Sequence, residues 1–266
     1  MHQLEIGRIR ARWAAGLMKA TEAAAIRSAD VVALMSPANV AFFRRYFPGV
    51  NARTVVVPPW SSSGDEPVGA AHPDGDRLRV MFGGQLVRGR GVETIVDAAA
   101  LLREDPIDIL IAGDGPEREG LEHRAAGIDG IEFLGMLARA DYRALLRTVD
   151  VGVAVTVGGV SVPSFPSKIV EYCGLGVPVV VAVEPTSDAG AMVESRGAGL
   201  VIPVDDAPAL ASALRALRSE QVDGALARRA RSARKLYDDE LSADAAATRL
   251  VESSLDGAGL PGALPR

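Results

Sequence analysis

The sequence predicts an α/β protein built on a doubly wound parallel sheet, preceded by the last strands of a second, incomplete α/β domain. Three observations carry that reading. From Leu78 onward, short apolar runs alternate with amphipathic stretches of helical period, the pattern of a parallel sheet wound with helices. The runs are nearly continuously apolar, as strands covered on both faces have to be. Before Leu78 the same alternation supplies only two strands, which leave apolar edges and faces that need more strands or a partner.

In chain order, a helix to about Ser28 precedes strand DVVALM (30–35), a helix from Pro37 to about Tyr46, and strand RTVVVP (53–58). Residues 1–59 therefore read as the remnant of an amino-terminal domain. The segment WSSSGDEPVGAAHPDGD (60–76) is polar and rich in Gly and Pro, so 60–77 is taken as a linker. Strands follow at LRVMF (78–82), IDILIA (107–112), IEFL (131–134), DVGVAV (150–155), PVVVAV (178–183) and GLVIP (199–203). Helices are expected near 92–103, 117–126, 140–148, 167–175, 188–196 and 207–218, which makes 78–222 one complete domain. Two further helices and a frayed tail, DGAGLPGALPR, fill 223–266.

Composition narrows the function. With 48% apolar and 24% charged residues the chain has the make-up of a soluble protein with real cores. A net charge of −5 argues against a general nucleic-acid binder. The single cysteine, Cys173, cannot build an intramolecular disulfide framework or a thiolate metal cage, and reads as a small packed residue in a reducing compartment. His2, His72 and His123 show no metal-ligand spacing, so no metal and no other cofactor is expected. No apolar run approaches the roughly 20 residues of a membrane span, and a cytoplasmic location is expected. Residues 4–19 mix Arg8, Arg10, Arg12 and Lys19 with Ile6, Ile9, Trp13 and Leu17, a composition suited to peripheral contact with an anionic membrane.

The chemistry concentrates in four segments. PSFPSKIVEYCGLGVP (163–178) opens a helix with a proline, a hydroxyl and Lys168. The N-terminus of such a helix, with its backbone N–H groups and the positive end of its dipole, suits an anion. Glu171, one turn on, can accept hydrogen bonds from sugar hydroxyls, so the pair suits a nucleotide diphosphate with its ribose. FGGQLVRGRGVETIVDAAALL (82–102) joins a strand to a helix by a glycine loop, where the backbone can approach a ligand and Arg88 and Arg90 can reach phosphate oxygens. The loop is too long for a dinucleotide fingerprint. In LIAGDGPEREGLE (110–122), Gly113 and Gly115 shape a pocket wall, Asp114 is read first as a helix cap, and Pro116 is placed in the first helical turn. FLGML (133–137) reaches the same crevice, where the backbone around Gly135 can meet a base. All four lie at the carboxyl ends of strands, where doubly wound sheets bind their ligands.

Taken together, in this order, the segments resemble the carboxy-terminal half of a family 4 glycosyltransferase of GT-B fold, over about residues 78–220. The landmarks are GGQLVRGRG, a helix ending in AALL, LIAGDGPE, the FLG turn, Asp150, SKIVEYCGLGVPVV and GLVIPVDD. VVPPW and the Pro-Ser-Lys helix start look most like the branch that builds surface polysaccharides and lipid-linked oligosaccharides. The resemblance implies a Rossmann-like domain that holds a nucleotide-sugar donor through Gly84, Gln85, Gly113, Asp114, Gly115, Gly135, Ser167, Lys168 and Glu171. Glu171 would meet the ribose hydroxyls and Lys168 and Arg90 the diphosphate, and these three would be the groups that carry catalysis. A retaining transferase of this kind stabilises its departing nucleoside diphosphate with cations and a helix dipole, without a metal. Three positions depart from the family pattern: Pro163 stands where the first glutamate is usual, Gln85 where an arginine is common, and Arg90 where lysine is usual.

The implied reaction moves a sugar from a nucleotide-sugar donor to a saccharide or lipid-linked acceptor. Two other readings stay open. One is a non-catalytic nucleotide-binding subunit that self-associates or needs a separate acceptor-domain polypeptide. The other is a GT-B nucleotide-sugar epimerase, which would require histidine at the crevice.

Overall fold

The computed structural model describes residues 12–62 and 76–258. The arginines at 8 and 10, most of the linker and the tail from 259 lie outside the described residues. Helix α1 (Arg12–Arg27) leads into β1 (Val31–Leu34), α2 (Pro37–Tyr46) and β2 (Arg53–Val56). β1 and β2 form a two-stranded parallel sheet of their own, with Val31 opposite Arg53. Ser36 caps α2 by accepting from Asn39 N, and Pro37 sits at the helix start, where its missing N–H costs nothing.

The larger domain runs β3 (Leu78–Gly83), α3 (Val92–Leu101), β4 (Ile107–Ala112), α4 (Arg118–Arg124), β5 (Ile131–Gly135), α5 (Arg139–Leu146), β6 (Val151–Val155), α6 (Ser167–Gly174), β7 (Val179–Ala182), α7 (Ala189–Ser195), β8 (Gly199–Val201) and α8 (Ala207–Val222). Its strands lie in the order β5-β4-β3-β6-β7-β8, every neighbouring pair parallel. The order reverses between β3 and β6, the switch point at which the flanking loops diverge and leave a crevice.

Alternation along β3 divides the core. Leu78, Val80 and Phe82 pack with Ile95, Leu210 and Leu214 on one face. Met81 packs on the other with Ile169, Tyr172 and Val181. Each such side chain, fully buried, contributes roughly 1.5–3 kcal/mol. Cys173 is buried in the second layer, and the apolar surroundings push its thiol up to about 12.

Ladder pairing at the switch point is brief, only Val80 with Val151 and Met81 with Gly152. Side chains extend it. Asp150 Oδ2 accepts from Arg79 N at 2.8 Å while Asp150 N donates to Arg79 O. Tyr172, wholly buried, donates its hydroxyl to Met81 O at 3.0 Å. Its ring fills the space above Gly152, where a Cβ would stand 2.3 Å from a ring carbon.

After α8, helix α9 (Leu226–Leu236) packs on α6, and Arg234 Nη1 donates to Gly174 O. A π-helical turn (Tyr237–Leu241) follows, then α10 (Ala243–Ala258), which lies against β2. The linker start is pinned to this turn: Tyr237 Oη donates to Ser61 O at 2.7 Å, and Ser61 N to Leu241 O. Among the described residues no helix is long and apolar enough to cross a membrane.

Gly152→Ala should destabilise the protein by about 1–3 kcal/mol, the usual cost of forcing a carbon into a filled core. Urea denaturation would show this as a lower midpoint at unchanged slope.

Candidate functional site

Beyond the strand ends the chain keeps to the pattern of the ladder. Gly84 N donates to Ala112 O, Leu86 N to Asp114 O and Gly113 N to Gly135 O, so the loops after β3, β4 and β5 stand side by side at the carboxyl edge. They touch closely enough to demand glycine. A Cβ on Gly113 would lie 1.8 Å from Gly84 O, and one on Gly115 2.3 Å from Leu86 O. Asp114 does not cap α4, which begins at Arg118; its Oδ1 accepts from Gly115 N at 2.8 Å and closes the turn before the helix. Pro116 accordingly lies in that turn, outside the first helical turn. A bond from Glu117 N back to Leu86 O holds that residue in the loop, and the helix starts one residue later than the sequence suggests.

Helix α6 begins at Ser167 behind Pro166, and no side chain caps it. Lys168, in its first turn, reaches back over the end of β3. Its Nζ lies 5.1 Å from the centre of the Phe82 ring, and a Cβ on Gly84 would stand 2.6 Å from it. Burial, together with the positive charge of Arg90, lowers the Lys168 ammonium to about 8, while Glu171 opposes the shift. Arg90 itself is exposed.

Glu171 sits one turn further along α6. Tyr142 of α5 donates its hydroxyl to Glu171 Oε2 at 3.0 Å. That hydroxyl occupies the space a side chain at Gly83 would take, since a Cβ there would be 2.2 Å from it. Burial raises the Glu171 carboxyl above its usual range, countered by Tyr142, Lys168, Arg143 and Arg139 in turn. A cavity of about 440 Å³ opens beside the carboxylate, lined by Ser167 and Glu171 of α6, Arg139, Tyr142 and Arg143 of α5, and the linker around Trp60.

The structure thus brings Lys168, Glu171, Arg90 and Gly84 to one edge and sets Ser167 at the cavity wall. Gln85 is exposed beside Gly84. Of the expected site residues only Ser167 and Glu171 line the cavity; Gly84, Gln85, Arg90 and Lys168 stand beside it, Gly113, Asp114, Gly115 and Gly135 belong to the adjoining loops, and Gly135 backs onto the Arg118 guanidinium. Sequence reasoning missed Tyr142, Arg139 and Arg143. The available signal was that α5 follows the FLG turn, so its first turns had to start at the same edge. Among the described residues no group of three or more His, Cys, Asp or Glu side chains could hold a metal ion.

The family described as glycosyl transferases group 1 matches residues 77–220. The putative colanic acid biosynthesis glycosyl transferase WcaI of Escherichia coli K12 is 25% identical over 146 residues, 54% of this chain and 36% of that protein. A phosphatidyl-myo-inositol mannosyltransferase of Mycobacterium leprae is 36% identical over 137 residues, 50% of this chain and 35% of that protein. The chain therefore spans about a third of the length of these curated relatives. Among solved structures, sucrose-phosphate synthase from Thermosynechococcus elongatus aligns with a TM-score of 0.73 at 22% identity, covering 97% of this chain and 67% of that one. HepE of Anabaena, in complex with UDP and glucose, gives 0.68 at 18% identity, covering 87% and 65%. At such identities the likeness establishes the fold, a Rossmann-like α/β domain of GT-B type.

Removing the Tyr142 hydroxyl takes away a hydrogen bond that favours the charged carboxylate. Tyr142→Phe should therefore raise the Glu171 titration further, measured by NMR of carboxyl-labelled glutamate.

Proposed function

The chain belongs to the group 1 glycosyl transferases, and from that membership we propose that it holds the nucleotide-sugar donor of a glycosyl transfer where Arg90, Lys168 and Glu171 meet. One observation carries the reading. A largely buried lysine and glutamate share the first two turns of a helix that starts at the switch-point crevice, with arginines close to both. Burying an ammonium is costly, and an anion seated against it recovers the loss. A diphosphate meets that need, and a ribose next to it presents the hydroxyls that the Tyr142-held carboxylate accepts.

In the reaction, the bond between the sugar's anomeric carbon and the β-phosphate oxygen breaks. Its electron pair stays on the departing diphosphate. The acceptor hydroxyl oxygen bonds the same carbon and passes its proton to the departing diphosphate oxygen. The charge that grows on the leaving phosphate falls where Lys168, Arg90 and the N-terminus of α6 are already oriented, so stabilising it needs little reorganisation. The relatives that carry the names of a colanic acid glycosyl transferase and a phosphatidyl-myo-inositol mannosyltransferase support a saccharide or lipid-linked acceptor, and a role in surface polysaccharide or glycolipid synthesis. We place the reaction on the cytoplasmic side of the membrane.

Calorimetric titration with uridine, UMP and UDP, and with the guanosine series for the base, tests this reading. Lys168→Ala should weaken diphosphates by roughly 1.5–3 kcal/mol, the range for hydrogen bonds to charged groups, and spare the nucleoside. Glu171→Gln should weaken nucleoside and nucleotide alike. Arg90→Ala should resemble the lysine change in milder form, since its side chain is exposed and screened. Equal binding by all three variants would sink the donor-site reading.

The lysine also sets a pH dependence. Because the bound diphosphate favours the protonated ammonium, UDP affinity should fall as pH rises through about 8, where Lys168 loses its proton. Lys168→Arg should flatten that profile up to pH values well above the ordinary lysine range.

A further inference from the structure

The 156–166 loop delivers Ser167 and Lys168 to the site, and it is held from two sides. From within the larger domain, Glu184 at the end of β7 is buried and accepts from Ser164 N, Ser164 Oγ and Thr156 Oγ1. From the smaller unit comes the start of α2. Ser36, almost fully buried, donates to Asn39 Oδ1 at 2.9 Å and accepts from Asn39 N, which fixes the amide. Asn39 Nδ2 then donates to Pro163 O at 2.9 Å. In return, Asp188 of the larger domain accepts from Ala38 N through Oδ2 at 2.6 Å, a carboxylate on the positive end of α2.

We propose that Asn39 and Asp188 are positioning residues of the donor site: by clasping α2 onto Pro163, they hold the first turn of α6, and Lys168 with it, in the geometry that receives the diphosphate. The proposal rests on the donor-site reading above. Pro163 precedes Lys168 by five residues, and Pro166 between them fixes its own φ, so a shift at Pro163 travels to the helix start. Glu171 is independently secured by Tyr142, and its neighbour Tyr172 anchors the second turn of α6 to β3. Disturbing the clasp therefore moves the diphosphate groups and leaves the ribose group in place. The contact is also specific. Asn39 is 8% exposed, and a buried amide left without its acceptor is costly, so the closed arrangement is defined by this bond. The residue that resemblance expects at position 163 is a glutamate; a proline brings no carboxylate, and here its carbonyl joins the two units instead.

The experiment is calorimetric titration of UDP and uridine into Asn39→Ala, Asn39→Asp, Asp188→Ala and Asp188→Asn, with Lys168→Ala alongside. Asn39→Asp keeps the shape and the oxygen facing Ser36 but loses the donor to Pro163, and Asp188→Asn keeps an acceptor oxygen. Asn39→Ala, Asn39→Asp and Asp188→Ala should weaken UDP about three- to tenfold, in keeping with one hydrogen bond, with uridine unchanged. Asp188→Asn should retain most of the parent affinity. The midpoint of the pH dependence of UDP affinity should move upward in the weakened variants, because Lys168 becomes better solvated. If Lys168→Ala weakens UDP while the clasp variants bind both ligands as the parent does, the positioning role is overturned and the donor site stands. Equal losses for uridine and UDP in the clasp variants would also overturn it, as the mark of general destabilisation. A Lys168→Ala that binds UDP normally would overturn the donor site itself. Should the alanine variants fail to fold, Asn39→Asp and Asp188→Asn decide between these outcomes.

Discussion

The insertion of Tyr172 into the space above Gly152 sets the frame on which the rest depends. Ring and glycine fit because a strand position without a side chain lets the helix come close, and the hydroxyl is satisfied by Met81 O of the strand beside it. This locks the rotation and height of α6 at the point where strand order reverses. Helix geometry does the remainder. Residues four apart share a face, so Lys168 continues the inward stripe of Tyr172 one turn toward the N-terminus. By then the sheet has ended, and the position that would bury a core residue overhangs Gly84 and the Phe82 ring. A cation there is shielded from water without being enclosed by the core.

On the proposed donor-site reading, that placement lets an acidic protein hold an anion. A net charge of −5 is a property of the whole surface, whereas a ligand senses what lies within a few ångströms. Around α6 the local balance is basic: Arg90 acts on Lys168, and Arg139 and Arg143 act on Glu171. Tyr142 holds the Glu171 carboxylate in one orientation. Burial lowers the lysine and raises the glutamate, and each partly offsets the other's shift.

Much of this was legible in the sequence. Continuous apolar runs such as PVVVAV and the glycines after them located the strands and the edge at which doubly wound sheets bind ligands, because burial on both faces and tight turns leave strong local signatures, whereas the order of the strands came from the structure. Lys168 and Glu171 were found from their place at a helix start. What escaped were relations that only packing creates. Tyr142 carries no signal as a carboxylate partner until α5 lies beside α6. Asp114 has the side chain of a helix cap, yet a bond from Glu117 to a neighbouring loop turns it to another task. The contact between Asn39 and Pro163 spans 124 positions and uses a backbone carbonyl, the one group every residue shares. The π-helical turn at Tyr237–Leu241 was likewise hidden, since its composition suits an ordinary helix end.

The meeting of Ser61 and Ser242 has a mechanical consequence. The chain leaves the smaller unit at the linker and later returns to it as α10, and the two segments run parallel and hydrogen-bonded where they pass. The crossing resists sliding and separation, and with the contact of α2 to Pro163 and Asp188 the two units are joined at two places. Trp60, one residue before the crossing, lines the cavity next to Glu171. A small shift at this crossing would thus be felt first as a change in cavity width.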